Sequence, residues 1–159
     1  MRTENWCGYE IRFVEINGEW WAILKDICDA LELQTAKVAQ RLDPSMMERV
    51  PVEVEVPSKQ VDSQTYWMLA VNEFGIYEAL FASRRLEARK FRIWAGTVLQ
   101  KLRCSVGLEG YEVMRITEPE IQREIDDLID TLYYDESTGK LMQSITVRGG
   151  DVEQVEFEL

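Results

Sequence analysis

Apolar and polar positions alternate in Tyr9–Ile16, YEIRFVEI, with Ile11 and Phe13 on one face of an extended segment and Arg12, Val14 and Ile16 on the other. Asn17-Gly18 follows and leads into EWWAIL. Both residues of that pair tolerate positive φ, so the segment predicts a β-hairpin. From Leu24 the period becomes helical: Leu24, Ile27, Cys28 and Leu31 share one stripe, with Cys28 as a small buried apolar residue. A second short helix is expected over 35–42, capped by Thr35, with Val38 and Leu42 inward and Asp43-Pro44 ending it. Val50, Val52, Val54 and Val56 then alternate with Pro51, Glu53 and Glu55, a half-buried strand whose prolines place it near a sheet edge. SKQVDSQ reads as a polar connection, and TYWMLAV as a second strand antiparallel to the first.

Asn72 is suited to cap a helix over NEFGIYEALFAS. Gly75 inside it costs about 1 kcal/mol against Ala, which signals something packed close to the backbone. Ser83 ends that helix and caps another, expected from Arg84 to about Arg103. Phe91, Trp94, Ala95, Val98, Leu99 and Leu102 define its inner face, while Arg85, Arg89, Arg92 and Arg103 line up with Gly96 on a separate stripe.

The two glycines between Cys104 and Gly110 mark a boundary, giving a domain over 1–106 and an extension over 107–159. Thr117-Glu118-Pro119-Glu120 reads as a capping box for a helix reaching about Tyr133, with Ile121, Ile125, Leu128, Ile129 and Leu132 as its apolar stripe. A turn at Gly139, a strand KLMQSITV, a turn at Arg148-Gly149-Gly150-Asp151 and a strand VEQVEFEL complete a hairpin. The fold class is therefore α+β: a small antiparallel sheet of hairpins packed with several helices, then an acidic helix-hairpin extension. That extension is too small to bury much surface alone and must pack on the main domain or on a partner.

Composition narrows the function. No apolar run reaches 18 residues and no basic segment leads into an apolar one, so a soluble, cytoplasmic protein without a membrane role is expected. The chain has no histidine, which removes Ser-His and Cys-His nucleophiles and His-containing metal clusters. An enzyme, a metal and a cofactor are not expected. Cys7, Cys28 and Cys104 are odd in number and widely spaced, which fits reduced thiols. Asp26, Asp29 and the acidic helix read as solvated carboxylates. Trp20 and Trp21 are adjacent in a strand, so one packs and the other stands outward as a candidate stacking platform.

The net charge of −11 is unevenly spread. Residues 1–103 hold 14 basic and 15 acidic side chains, residues 104–159 hold 4 and 14, and residues 83–103 hold seven and one. Guanidinium groups pair with phosphate through two bonds, so the basic helix is the candidate surface for nucleic acid or a partner. Its candidates are Arg84, Arg85, Arg89, Lys90, Arg92, Lys101 and Arg103. Lys37, Gln40 and Arg41 on the short second helix join them as groove or phosphate contacts. The alternative surface is acidic: Glu120, Glu124, Asp126, Asp127 and Asp130 would meet a basic protein.

Taken in order, the hairpin, Lys25-Asp26-Ile27, Ala30-Leu31, Asn72-Glu73-x-Gly75-x-Tyr77, Ser83-Arg84, Ala88, Phe91 and Trp94 resemble the Bro-N family. This is the amino-terminal domain of baculovirus BRO proteins and of many phage and prophage antirepressors. The resemblance covers about residues 9–103. The family usually has a Gly after the first helix, where this chain has Glu32, and a Pro after Trp94, where this chain has Gln100. The resemblance implies an α+β domain that binds double-stranded DNA in phage or viral gene control, in a bacterial host cell. Two expectations follow: a DNA-binding regulator, which a homodimer would suit, or a protein-directed antirepressor whose acidic extension holds a basic repressor off its DNA.

Overall fold

The computed structural model describes residues 1–58, 61–147 and 149–157, with the side chains of 55–58 and 61–63 outside the description. The chain divides into two units, Met1–Arg92 and Ile93–Leu159. Three antiparallel strands open the first: β1 (Arg2–Trp6), β2 (Tyr9–Ile16) and β3 (Glu19–Ile23). Asn17 and Gly18 take φ of 52° and 85°, the hairpin turn expected of that dipeptide. Cys7 and Gly8 repeat the geometry at 52° and 86°, which adds β1, a strand that the sequence pattern did not predict.

α1 (Leu24–Leu31) has the expected bounds and buries Leu24, Ile27, Cys28 and Leu31. α2 (Thr35–Ala39) is shorter than expected and Thr35 is not its cap. Leu33 packs against the core, so Gln34 enters the helix in extended conformation without a side-chain cap. Val38 and Leu42 are buried as predicted. Asp43 caps a short 3-10 turn at Pro44–Met46 before β4 (Met47–Ser58). β5 (Val61–Val71) pairs with β4 as far as Ser58↔Val61. The ladder thus takes up most of the polar stretch expected as a loop, and Lys59 and Gln60 lie outside the described residues.

The sheet order is β1-β2-β3-β5-β4, which puts β4 and its Pro51 at an edge. Ile11, Ala22 and Val71 face α1 and α3 (Glu73–Ala82) across one cluster with Leu24, Ile27, Leu31 and Ala79. Ile23, Val50, Val52 and Ala70 form a second cluster, packed by Val14, Ile16, Trp21 and Met68. Asn72 Oδ1 accepts the Gly75 N–H at 3.1 Å, the cap that the sequence predicts.

α4 (Leu86–Ser105) begins in the first unit. Its expected inner face is corrected: among its residues only Ala88 is buried, and Trp94 and Leu99 are 60% and 53% exposed. The apolar stripe serves two separate clusters. Phe91 stacks on Tyr77 in the first unit, and Leu102 packs with Leu108, Ile121 and Ile125 in the second.

The second unit continues with a 3-10 helix at Gly110–Thr117 and α5 (Pro119–Asp130). Thr117 does not cap α5, because its hydroxyl donates back to the Met114 carbonyl and Glu118 takes the cap position. The helix also stops short of Tyr133. Thr131 closes it by donating its hydroxyl to the Leu128 carbonyl, and the aromatic run after it forms β6 (Leu132–Asp135). β6 pairs with β7 (Lys140–Thr146), and β7 with β8 (Val152–Glu156), in a sheet of order β6-β7-β8. Arg148 of the expected turn and residues 158–159 of the expected last strand lie outside the described residues.

Candidate nucleic-acid interface

Ser83 sets the start of α4. It is 1% exposed; its Oγ donates to the Leu31 carbonyl at 3.0 Å and accepts the Arg85 N–H at 3.2 Å. One hydroxyl thereby satisfies the end of α1 and the entry to α4. Tyr77 and Phe91 stack with ring centroids 5.7 Å apart, and Phe81 packs on Phe91 at 5.9 Å, holding the first turns of α4 against α3.

The arginine stripe separates on this frame. Arg85 Nη1 donates to the Ala30 carbonyl at 2.6 Å, and its guanidinium lies 5.3 Å from the Tyr9 ring centre and 6.0 Å from that of Trp6. Desolvation works against its charge, but the Tyr9 hydroxyl and the Glu87 and Glu32 carboxylates outweigh that and raise its pKa. Arg92 Nη1 donates to the Leu80 carbonyl at 3.1 Å and also to Ser83 O. These two arginines supply the donors that the C-terminal carbonyls of α1 and α3 lack. In the second unit Arg103 donates to the Leu108 carbonyl in the same manner.

Arg89, the fourth member of the stripe, is exposed, as are Arg84 and Lys90 beside it. None of the three side chains makes an ion pair among the described residues. On α2 and the turn after it, Lys37, Gln40 and Arg41 are exposed too. Two clefts reach Arg41 and Arg84 of these groups. One of about 230 Å³ is lined by Val38, Arg41, Leu42, Glu78, Phe81 and Ala82. The other, of about 370 Å³, is lined by Leu31, Glu32, Leu33, Ala82, Arg84 and Arg85. Ala82 borders both, so the first unit carries Arg41 and Arg84 on either side of one small residue.

Lys101 is half-buried in the second unit, and Glu120, Glu124, Asp126, Asp127 and Asp130 are all exposed on α5 without an ion pair among the described residues. Trp20 is 46% exposed, while Trp21 packs in the second cluster with its Nε1 buried and unpartnered among the described residues. Asp26 is not a solvated carboxylate: it takes two side-chain bonds from Arg12. That pair and the inward turn of Arg85 and Arg92 escaped the sequence reading. Among the described residues no group of three or more Cys, Asp or Glu is placed to hold a metal ion, and no helix is long and apolar enough to cross a membrane.

The family model for the BRO family, N-terminal domain, matches residues 10–100, more than half of the chain. No curated protein and no solved structure matches it.

Proposed function

The chain belongs to the BRO family, with the family's N-terminal domain over residues 10–100, and we propose that it is an antirepressor-type transcriptional regulator of phage or prophage origin that grips duplex DNA by its phosphates. The family's domain is a DNA-binding regulatory one. The finer reading assigns the phosphate contacts to Arg84, Arg89 and Lys90, with Lys37, Gln40 and Arg41 reaching the same duplex from α2 and the turn after it. Arg85, Arg92 and Arg103 are left out of this contact set, because each turns its Nη1 to a backbone carbonyl. Arg85 and Arg92 fasten the start of α4, which carries Arg89 and Lys90.

The observation that supports this reading most is the shared border at Ala82, with Arg41 from the turn after α2 lining one cleft and Arg84 from the segment before α4 lining the other. The first unit as a whole has twelve basic and fifteen acidic residues, which opposes DNA at long range. At contact distance the local charge decides, since the Debye length is only about 8 Å at physiological salt.

The test is fluorescence anisotropy of a labelled non-specific duplex of about 30 base pairs, titrated with the full chain over a range of salt. Replacing Arg84, Arg89 and Lys90 by Ala should weaken binding and lower the salt slope by about 0.9 for each phosphate that is no longer neutralised. Arg85→Ala should lower thermal stability instead. An unchanged slope in the triple variant would remove these residues from the interface.

A further inference from the structure

The main core cluster of the first unit surrounds a cleft. The register sets Arg2, Glu4 and Trp6 of β1 on the same sheet face as Ile11 and Phe13 of β2, and Ile11 packs there with Ile27 of α1 and Ala79 of α3. Between this face and the two helices lies a space of about 260 Å³. Its walls include Trp6, Ile11, Phe13, Ile27 and Leu80, and all of its lining residues except Glu4 and Asn5 are apolar. Protein interiors leave few gaps larger than a water molecule, and an apolar cavity of about 150 Å³ already takes benzene. The cleft therefore has room for a molecule of one or two fused rings.

Its walls are fixed by the fold. Ile11, Ile27 and Ala30 are buried members of the cluster, and Trp6, Phe13 and Leu80 pack against them. Arg85 braces two of the lining residues at once: its Nη1 donates to the Ala30 carbonyl at 2.6 Å, and its guanidinium lies 6.0 Å from the Trp6 ring centre. Walls held in this way cost little further ordering when a ligand enters.

The polar groups decide the chemistry of the occupant. Glu4 already accepts from Arg2, and Asn5 Oδ1 accepts the Gly8 N–H at 3.2 Å. Among the described residues no Lys or Arg lines the cleft. A carboxylate or phosphate carried into it would meet Glu4 and no free counter-charge, and burying an unpaired charge is costly. We propose that the cleft is a binding site for a small, uncharged, apolar ring compound, held by burial against Trp6 and Phe13. The site shares no residue with the proposed DNA contacts and stands whether or not those bind.

The probe is indole, with indolecarboxylate as the charged control of the same ring system, titrated into the isotope-labelled full chain and followed by amide chemical shifts. Indole should give saturable shifts at Trp6, Ile27, Ala30 and Leu80, with a Kd of about 1 mM or tighter, as burial of so few ring atoms gives at ordinary ligand efficiency. Indolecarboxylate should bind roughly tenfold more weakly or not at all. Leu80→Trp narrows the cleft from α3 and Phe13→Trp narrows it from β2, so each should weaken indole binding by roughly tenfold or more. Two variants are used so that one that fails to fold, as its melting curve would show, leaves the other to decide. Native-like indole binding by a folded filling variant overturns the proposal. So does equal binding of indole and its carboxylate, a saturable shift confined to residues outside the cleft, or no saturable shift in the native chain. Shifts of the same amides on dilution alone, with a matching change of mass in sedimentation, would give the cleft to a second copy and overturn it as well.

Discussion

Arg12 meets Asp26 through two parallel bonds, Nε to Oδ2 and Nη2 to Oδ1, both 2.7 Å, and its backbone N–H reaches the same carboxylate at 3.1 Å. The pair ties β2 to α1, with the two side chains 24% and 10% exposed. The bond to Asp26 raises the Arg12 pKa, with partial burial acting against it.

Breaking one side of such a pair leaves a partly buried charge without its partner, which costs more than the pair itself contributes. Arg12→Met should therefore destabilise the fold by about 1–3 kcal/mol. Arg12→Met combined with Asp26→Leu should recover part of that loss. Urea unfolding of four chains, the native one, Arg12→Met, Asp26→Leu and the double variant, measures both, and strict additivity of the two single changes would show that the groups are not coupled.

Gly75 is constrained by space. A Cβ there would lie 2.8 Å from Val71 Cβ and 3.3 Å from its Cγ1, and Val71 is fully buried. Gly75→Ala should lower stability by about 1–3 kcal/mol through overpacking, although Ala is the better helix former by about 1 kcal/mol. Gly96 in α4 has open space at the same position, so Gly96→Ala should be neutral or stabilising. Thermal midpoints of the two variants should move in opposite directions, or the first alone should move.

The elements that rest on local chemistry were legible in the sequence. Asn17-Gly18 announced its hairpin, Asn72 its cap and Gly75 its close contact, because each is a requirement of neighbouring backbone. β1 was not legible, since Cys7 at φ 52° is not a residue chosen for a turn. The arginines were half legible. Periodicity shows on which side Arg85 and Arg92 leave the helix, but not that a long side chain bends back to cap Ala30 or Leu80. The apolar stripe of α4 misled for another reason, since Phe91 at one end stacks on Tyr77, Leu102 at the other packs with Leu108, Ile121 and Ile125, and Trp94 and Leu99 between them are more than half exposed. β6 hid within a helical pattern that ran on through Leu128 and Leu132, past the point where Thr131 ends the helix.

Asp43 gives the fold an acid dependence whose sign is fixed. Its carboxylate accepts from the Ser45 hydroxyl at 2.6 Å and the Ser45 N–H at 2.9 Å, which together hold its pKa below the ordinary 3.8. A depressed carboxylate contributes stability above its unfolded-state pKa and loses it as pH falls through the folded-state value. The stability difference between the native chain and Asp43→Ala should be constant at neutral pH and narrow as pH falls below 3.8. Urea midpoints taken down the pH series would show it, and a difference that widened in acid would contradict the bonding at Ser45.

Glu32 ends α1 in the left-handed region, with φ 57° and ψ 41°, and lets Leu33 N–H close on the Cys28 carbonyl at 2.8 Å. The Bro-N resemblance expects Gly at this position, and the geometry gives the reason: an L residue here costs about 1–2 kcal/mol that Gly does not incur. Among the described residues the compensation is a 4.0 Å approach to Arg85 by a side chain that is 72% exposed, and exposed pairs of this kind contribute little. Part of the gain from Gly is offset by the greater freedom of the unfolded chain. Glu32→Gly should therefore stabilise the first unit by about 0.5–1 kcal/mol, and Glu32→Val, β-branched at positive φ, should destabilise it. Scanning calorimetry separates them, and a lower midpoint for Glu32→Gly would mean that the contact with Arg85 outweighs the backbone strain.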